Sequence, residues 1–178
     1  MKILLVAYDN DAYTHRFPQG LGYIAAMLKN SGHEIVIYNQ DYHHYPDSHL
    51  TEFLDKNLFN VIGVSVIAGY YQYKKLLKIS EAINKSCQKP FYVIGGHGPS
   101  PEPEFFIRKT GANAIVIGEG EETIVELLDA LACRRELGGI KGIAYRDGDE
   151  VIINERRPLI KNIDTLPFPA YDLFPMHY

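Results

Sequence analysis

Phe91-Tyr92-Val93-Ile94-Gly95-Gly96-His97-Gly98-Pro99-Ser100 passes from four apolar residues into a glycine-rich turn. Ala114-Ile115-Val116-Ile117-Gly118-Glu119-Gly120-Glu121-Glu122-Thr123 repeats the arrangement. Short apolar runs of this kind are the mark of buried parallel strands, and the turns that follow such strands lie at the carboxyl edge of the sheet. Glycine at that edge lets the backbone approach a ligand closely. Two such turns in one small chain imply a large or extended ligand lying along the edge.

Outward from these turns the same rhythm recurs. Lys2–Tyr8, Glu34–Asn39 and Val61–Val66 read as three further strands, the last almost wholly apolar. Leu21, Ile24, Ala25 and Leu28 recur with a helical period before Gly32. Leu50–Leu58, Tyr70–Cys87, Glu102–Thr110 and Glu121–Arg135 supply the other helices. Five strands, each followed by a helix, predict an α/β, flavodoxin-like (Rossmann-like), doubly wound five-stranded parallel sheet of order 2-1-3-4-5 over residues 1–136. After Leu137 the pattern changes. Ile140–Tyr145 and Glu150–Asn154 flank Asp147-Gly148, which predicts a C-terminal β-hairpin extension over residues 137–163. Residues 164–178, rich in proline and aromatics, read as a stiff linker to a further domain.

With 178 residues, 46% of them hydrophobic, the chain can bury one good core. A formal charge of −4 offers no basic field for nucleic acid. No apolar run approaches the ~20 residues that span a bilayer, and the apolar start is cut short by Asp9. The two cysteines, Cys87 and Cys133, stand far apart, which suits a reduced, cytoplasmic setting and provides no cysteine cluster.

The candidate site follows from the edge. The loop after the first strand, Asp9–Tyr23, is longer than most strand-to-helix loops and brings Tyr13, Thr14, His15 and Gly20 to the edge. Ser65 ends the third strand beside the expected switch point, where its hydroxyl can meet a ligand or the backbone. Gly95, Gly96 and His97 form one turn, and Gly118, Glu119 and Gly120 the other. Glu121 and Glu122 have a sufficient structural role at a helix start. No Gly-Lys-Ser/Thr phosphate loop is present, and no Gly-x-Gly-x-x-Gly follows the first strand. No lysine follows the fifth strand, which argues against a phosphoryl receiver. His43, His44 and His49 with Asp41 look like a metal cluster, yet a solvated, tyrosine-rich loop explains them better.

Taken together, Pro18-Gln19-Gly20-Leu21-Gly22-Tyr23-Ile24-Ala25-Ala26, Val61-Ile62-Gly63-Val64-Ser65, the two glycine turns, and Leu166-Pro167-Phe168-Pro169-Ala170-Tyr171-Asp172 give the chain a family likeness. It resembles, nearly end to end, the N-terminal cobalamin (vitamin B12)-binding domain of cobalamin-dependent radical S-adenosylmethionine enzymes. The resemblance implies a flavodoxin-like domain holding cobalamin at the carboxyl edge. The nucleotide tail would run beside the third strand near Ser65, and Gly95, Gly96, Gly118 and Gly120 would line the tail and corrin. Bulky residues at Gly96 or Gly120 would then block the ligand without unfolding the chain. Cobalamin domains that ligate cobalt through histidine carry Asp-x-His-x-x-Gly after the first strand. That motif is missing here, and Asp41-Tyr42-His43 begins a look-alike in the wrong place. The resemblance therefore implies a displaced tail and no histidine on cobalt, with Tyr13, Thr14 or His15 facing its lower side.

The family's catalytic half carries a 4Fe-4S cluster on Cys-x-x-x-Cys-x-x-Cys and uses S-adenosylmethionine, and neither Cys87 nor Cys133 belongs to such a motif. The implied role is positioning methylcobalamin against the chain's own C-terminal radical domain for methyl transfer to a substrate radical. Two other readings stand beside it: a radical-enzyme domain that keeps the fold without cobalamin and serves in docking, and a free-standing nucleotide-binding flavodoxin-like protein.

Overall fold

A computed structural model describes residues 1–11 and 16–175. Five parallel strands, β1 (Lys2–Ala7), β2 (Glu34–Asn39), β3 (Val61–Ser65), β4 (Phe91–Gly95) and β5 (Ala114–Val116), lie in the order expected from the sequence. The sheet does not stop there. β6 (Ile143–Asp147) pairs antiparallel with β5, and β7 (Glu150–Ile153) pairs antiparallel with β6. The five-stranded parallel sheet expected from the sequence is thus corrected to a seven-stranded mixed sheet, β2-β1-β3-β4-β5-β6-β7. The physical reason is the fate of an edge. β5 as an outer strand would leave a row of unpaired N–H and C=O groups, and the hairpin covers it.

Helices cover both faces, as alternate side chains of each strand demand. α3 (Asp47–Lys56), α4 (Tyr70–Lys85) and α5 (Pro103–Thr110) bury Leu50, Leu54, Leu76, Ile79, Ile83 and Ile107 against Leu4, Ile62, Val64 and Ile94. α1 (Gln19–Asn30) and α6 (Glu121–Ala132) cover the other face, burying Leu21, Leu28, Leu127 and Leu128 against Ile3, Leu5, Val93 and Val116. A one-turn helix, α2 (Gln40–His43), follows β2 and is capped by the Asn39 carboxamide. No helix among the described residues is long and apolar enough to cross a membrane.

The segment after β7 runs back over α6 and α1. Arg157 donates through Nε to Thr123 Oγ1 at 2.8 Å and pairs with Glu126. The Ile160 N–H donates to Glu119 Oε2 at 2.5 Å. Further on, Ala170 N–H donates to Gly22 O at 3.0 Å, the rings of Tyr171 and Phe174 lie 4.7 and 5.0 Å from that of Phe17, and Lys29 pairs with Asp172 at 2.6 Å. Arg157 and Ile160 hold the first part of this segment to α6 and the turn before it, and the aromatic stretch that follows packs on α1 and Phe17; the two together form a strap. Its outer side stays apolar, with Phe168 90% exposed.

Candidate functional site

At the carboxyl edge the two glycine turns are tied together by a side chain that sequence reasoning did not single out. Ser100 Oγ donates to Gly96 O at 2.8 Å and accepts the Gly118 N–H at 3.2 Å. The β4 turn is also knit to the end of β3. Val66 N–H donates to Gly95 O at 2.8 Å, and Gly98 N–H donates to Val66 O at 3.1 Å.

Below these turns, on the face covered by α1 and α6, a row of small residues crosses the sheet. Ser65 pairs with Gly95 in register, and the β1–β3 register that pairs Val6 with Val64 brings Ala7 beside Ser65. One layer deeper, Gly63 pairs with Leu5, and a Cβ on Gly63 would stand 2.9 Å from Leu5 Cδ2. Gly63, Ser65 and Gly95 are only half-buried although they sit on central strands. A trench therefore opens between the sheet and the two helices. Gly120, just before α6, lies close against α1 and β5: a Cβ there would approach Ile24 Cδ1 to 3.2 Å and Val116 Cγ1 to 3.4 Å. Above the trench, Ile67, Tyr70 and Tyr71 are exposed and form an apolar shelf; Tyr70 is 77% exposed.

The other expected residues fall as follows. Gly20 lies exposed in the first turn of α1 with open space where a Cβ would be. His97 is exposed in the β4 turn. Gly118 has φ +79° and open space around a Cβ. Glu119 spends its carboxylate on the Ile160 N–H, so its side chain fixes the turn to the strap. Tyr13, Thr14 and His15 lie outside the described residues. At Gly96 the expectation that a bulky residue would leave the fold intact is corrected: φ is +102°, and a Cβ would stand 2.4 Å from Val66 O.

The histidine-rich loop has a structural use. Asp9 N–H donates to Gln40 Oε1 and Asn10 N–H to Asp41 Oδ1, at 3.1 and 2.8 Å. Gln40 Nε2 reaches Asp47, which pairs with Lys75 of α4 at 2.6 Å. His44 Nδ1 lies 3.0 Å from Asp9 Oδ2. Among the described residues no group of three or more His, Cys, Asp or Glu is arranged to hold a metal. α2 and its neighbours thus pin the start of the first loop.

That pin titrates. The hydrogen bond and charge of Asp9 raise the His44 imidazole above its ordinary value near 6.5. Burial pushes the Asp9 carboxyl up, but the hydrogen bonds from His44 and Asp11 outweigh it and lower it on balance. A raised histidine stabilises the fold below its unfolded value and loses that contribution as pH rises through its folded one; a lowered carboxylate loses its own as pH falls through its folded value. The pin is therefore tightest between the carboxylate range and mildly acidic pH. Hydrogen exchange at Asn10 and Asp11, corrected for intrinsic rates, is expected to show more protection at pH 6 than at pH 8. His44→Asn should abolish the difference; a difference that survives would place its cause elsewhere.

Fold and edge together define a class: a flavodoxin-like α/β domain with a trench and exposed apolar residues at the carboxyl ends of its central strands. Comparison with known proteins gives its family. The B12 binding domain family model matches residues 7–128, and the chain belongs to that family. An uncharacterized methyltransferase of Pyrococcus horikoshii is 34% identical over 99% of this chain and 39% of its own length. The cobalamin-dependent S-adenosylmethionine radical enzyme OxsB, solved with aqua-cobalamin, superposes with a TM-score of 0.77 at 22% identity over 97% of this chain and 24% of that one. The radical S-adenosylmethionine methyltransferase TsrM from Kitasatospora setae, solved with cobalamin and a [4Fe-4S] cluster, gives 0.72 at 19% identity over 95% and 31%. The chain thus spans well under half the length of each protein it matches here. The residues present suit a cobalamin: Ala7, Ser65 and Gly95 bring little side-chain bulk to the trench, and Ile67, Tyr70 and Tyr71 are exposed apolar groups at the same edge.

Proposed function

We propose that this chain holds cobalamin at the carboxyl edge, with the nucleotide tail in the trench past Ser65 and Gly95 and the corrin on the shelf. It does so without a histidine ligand to cobalt, on behalf of a radical S-adenosylmethionine methyltransferase. The observation that carries the reading is the in-register row of small residues opening between a central sheet and its helices beneath an exposed apolar shelf. When bound, methylcobalamin supplies the methyl group to be transferred. The chain supplies position. Ser65 and the backbone of Gly95 and Gly118 bound the tail, Ser100 keeps the two turns at a fixed spacing, and Glu119 acts through the turn it anchors. The cluster and S-adenosylmethionine belong to a radical domain beyond this chain, reached by way of the strap. The reading also places the protein in the cytoplasm, with residues 1–136 as the cofactor domain.

Gel filtration after incubation with hydroxocobalamin tests it. Corrin absorbance is expected to co-elute with the protein at one equivalent. Reduction to cob(II)alamin should give an electron paramagnetic resonance spectrum without nitrogen splitting from an axial ligand. A folded chain that elutes free of corrin would favour the docking-module reading, to which the exposed Phe168 lends support.

A further inference from the structure

One buried group at the edge has no partner. Asn39 ends β2, opposite Ala7 in register, and is 5% exposed. Tyr38 packs with the α3, α4 and α5 layer, while Ile35 and Ile37 pack with the α1 and α6 layer. Strand alternation therefore puts Asn39 on the trench side. Its Oδ1 accepts the Tyr42 N–H at 3.1 Å and caps α2, which fixes which end of the carboxamide is which. Its Nδ2 has no hydrogen-bond partner.

Among the described residues only His33 Nε2, at the opposite end of β2, shares this state. Six other polar or charged residues are buried among those described, and each has partners. Gln40 is bonded at both ends, and Asp41 accepts from Asn10. Ser80 bonds to Leu76 O, Ser86 to Asp55, Thr110 to Phe106 O, and Thr123 accepts from Arg157. A buried donor left unmade carries a desolvation penalty, and in a native protein it calls for an explanation. Asn39 completes the row Asn39–Ala7–Ser65–Gly95, in which the other three members bring almost no side chain.

From this juxtaposition we infer that Asn39 is a further binding residue: its Nδ2 donates to an acceptor oxygen in the nucleotide tail of the bound corrinoid. The inference rests on the cobalamin reading above. The tail is the part of the ligand concerned because the row lies on the face of the sheet, inside the trench, whereas the macrocycle lies over the edge. Cobalamin's tail carries a phosphate and a ribose, both rich in acceptors. Cobinamide has the same corrin without the phosphoribosyl base, so it separates tail contacts from corrin contacts.

The test is spectrophotometric titration of the 178-residue chain with hydroxocobalamin and with aquocobinamide, comparing the unaltered protein with Asn39→Asp and Asn39→Ser. Both substitutions keep an oxygen to cap the Tyr42 N–H and remove the amide donor. Loss of one hydrogen bond is expected to weaken cobalamin binding by about tenfold, to leave cobinamide binding unchanged, and to leave the unfolding temperature of the ligand-free protein the same or higher. Asn39→Ser guards against failure of the Asp variant through crowding with Asp41 and Asp9. A folded variant that binds cobalamin as the unaltered chain does overturns the inference. So does an equal loss for cobinamide, which would put the donor on the corrin. Failure of the unaltered chain to retain any corrin is a different result: it sinks the cobalamin reading and this inference with it.

Discussion

Gly96→Ala is expected to lower the unfolding free energy by roughly 3 kcal/mol. The φ of +102° is a conformation side chains rarely adopt, and the new Cβ would meet Val66 O at 2.4 Å and Val66 N at 3.0 Å. Neither atom can rotate away, because Val66 is held by hydrogen bonds from its N–H to Gly95 and from Gly98 to its carbonyl. Relief requires the β4 turn to pull off the end of β3. In a domain of this size such a loss corresponds to a fall in Tm of about 6–12 °C, measurable by thermal denaturation. Gly118→Ala is the control: its φ is also positive, but the space around its Cβ is open, so only the backbone cost of ~1 kcal/mol remains. A Gly96→Ala protein melting within a degree or two of its parent would show that the turn relaxes freely.

Ser65→Leu is expected to weaken cobalamin binding by at least about 100-fold, or ~2.7 kcal/mol, with little effect on stability. Ser65 is half-buried beside Gly95 at the mouth of the trench. A leucine there extends into the space assigned to the tail, while the openness of the site spares the strain that overpacking brings in a filled core. Ser65→Ala separates the hydroxyl's contribution from the matter of room, and should cost no more than about tenfold. Titration with hydroxocobalamin measures both. Normal binding by Ser65→Leu would move the tail to another part of the edge.

The parallel core of this fold was legible because burial on both faces leaves a plain signature: Val61–Ser65, Phe91–Gly95 and Ala114–Val116 are apolar runs ending at or near glycine. The sheet order was taken from the flavodoxin-like pattern of doubly wound sheets, one of two common orders that right-handed crossovers allow. The hairpin was legible from Asp147-Gly148, but its partner was not, since local sequence fixes a turn and not which free edge the strands will cover. α2 escaped notice because Gln40-Asp41-Tyr42-His43 has no apolar period; it is held by the Asn39 cap. At the site, the glycines, Ser65 and the long first loop stood out by residue type and position. Ser100 and Arg157 did not, because each bonds across a long gap in sequence that only the assembled sheet closes, and Asn39 did not, because its place at the edge comes from the pairing of β2 with β1. Gly96 shows the limit of reading glycine alone: the residue type signalled close approach, and the neighbour approached is the protein's own Val66.

The strap is itself fixed to the domain at several points along its length. Gly22 admits it: a Cβ there would collide with the Phe17 ring at 2.4 Å and crowd Pro169 at 3.1 Å. Fastened at Glu119, Thr123, Gly22 and Lys29, the strap is a mount and not a tether. A flexible tether spreads its cargo through a volume that grows with length, and the local concentration of the cargo falls accordingly. A mount removes that dilution: the strap keeps a set distance and bearing from the carboxyl edge, because the hydrogen bond from Ile160 to Glu119 ties it to the β5 turn itself.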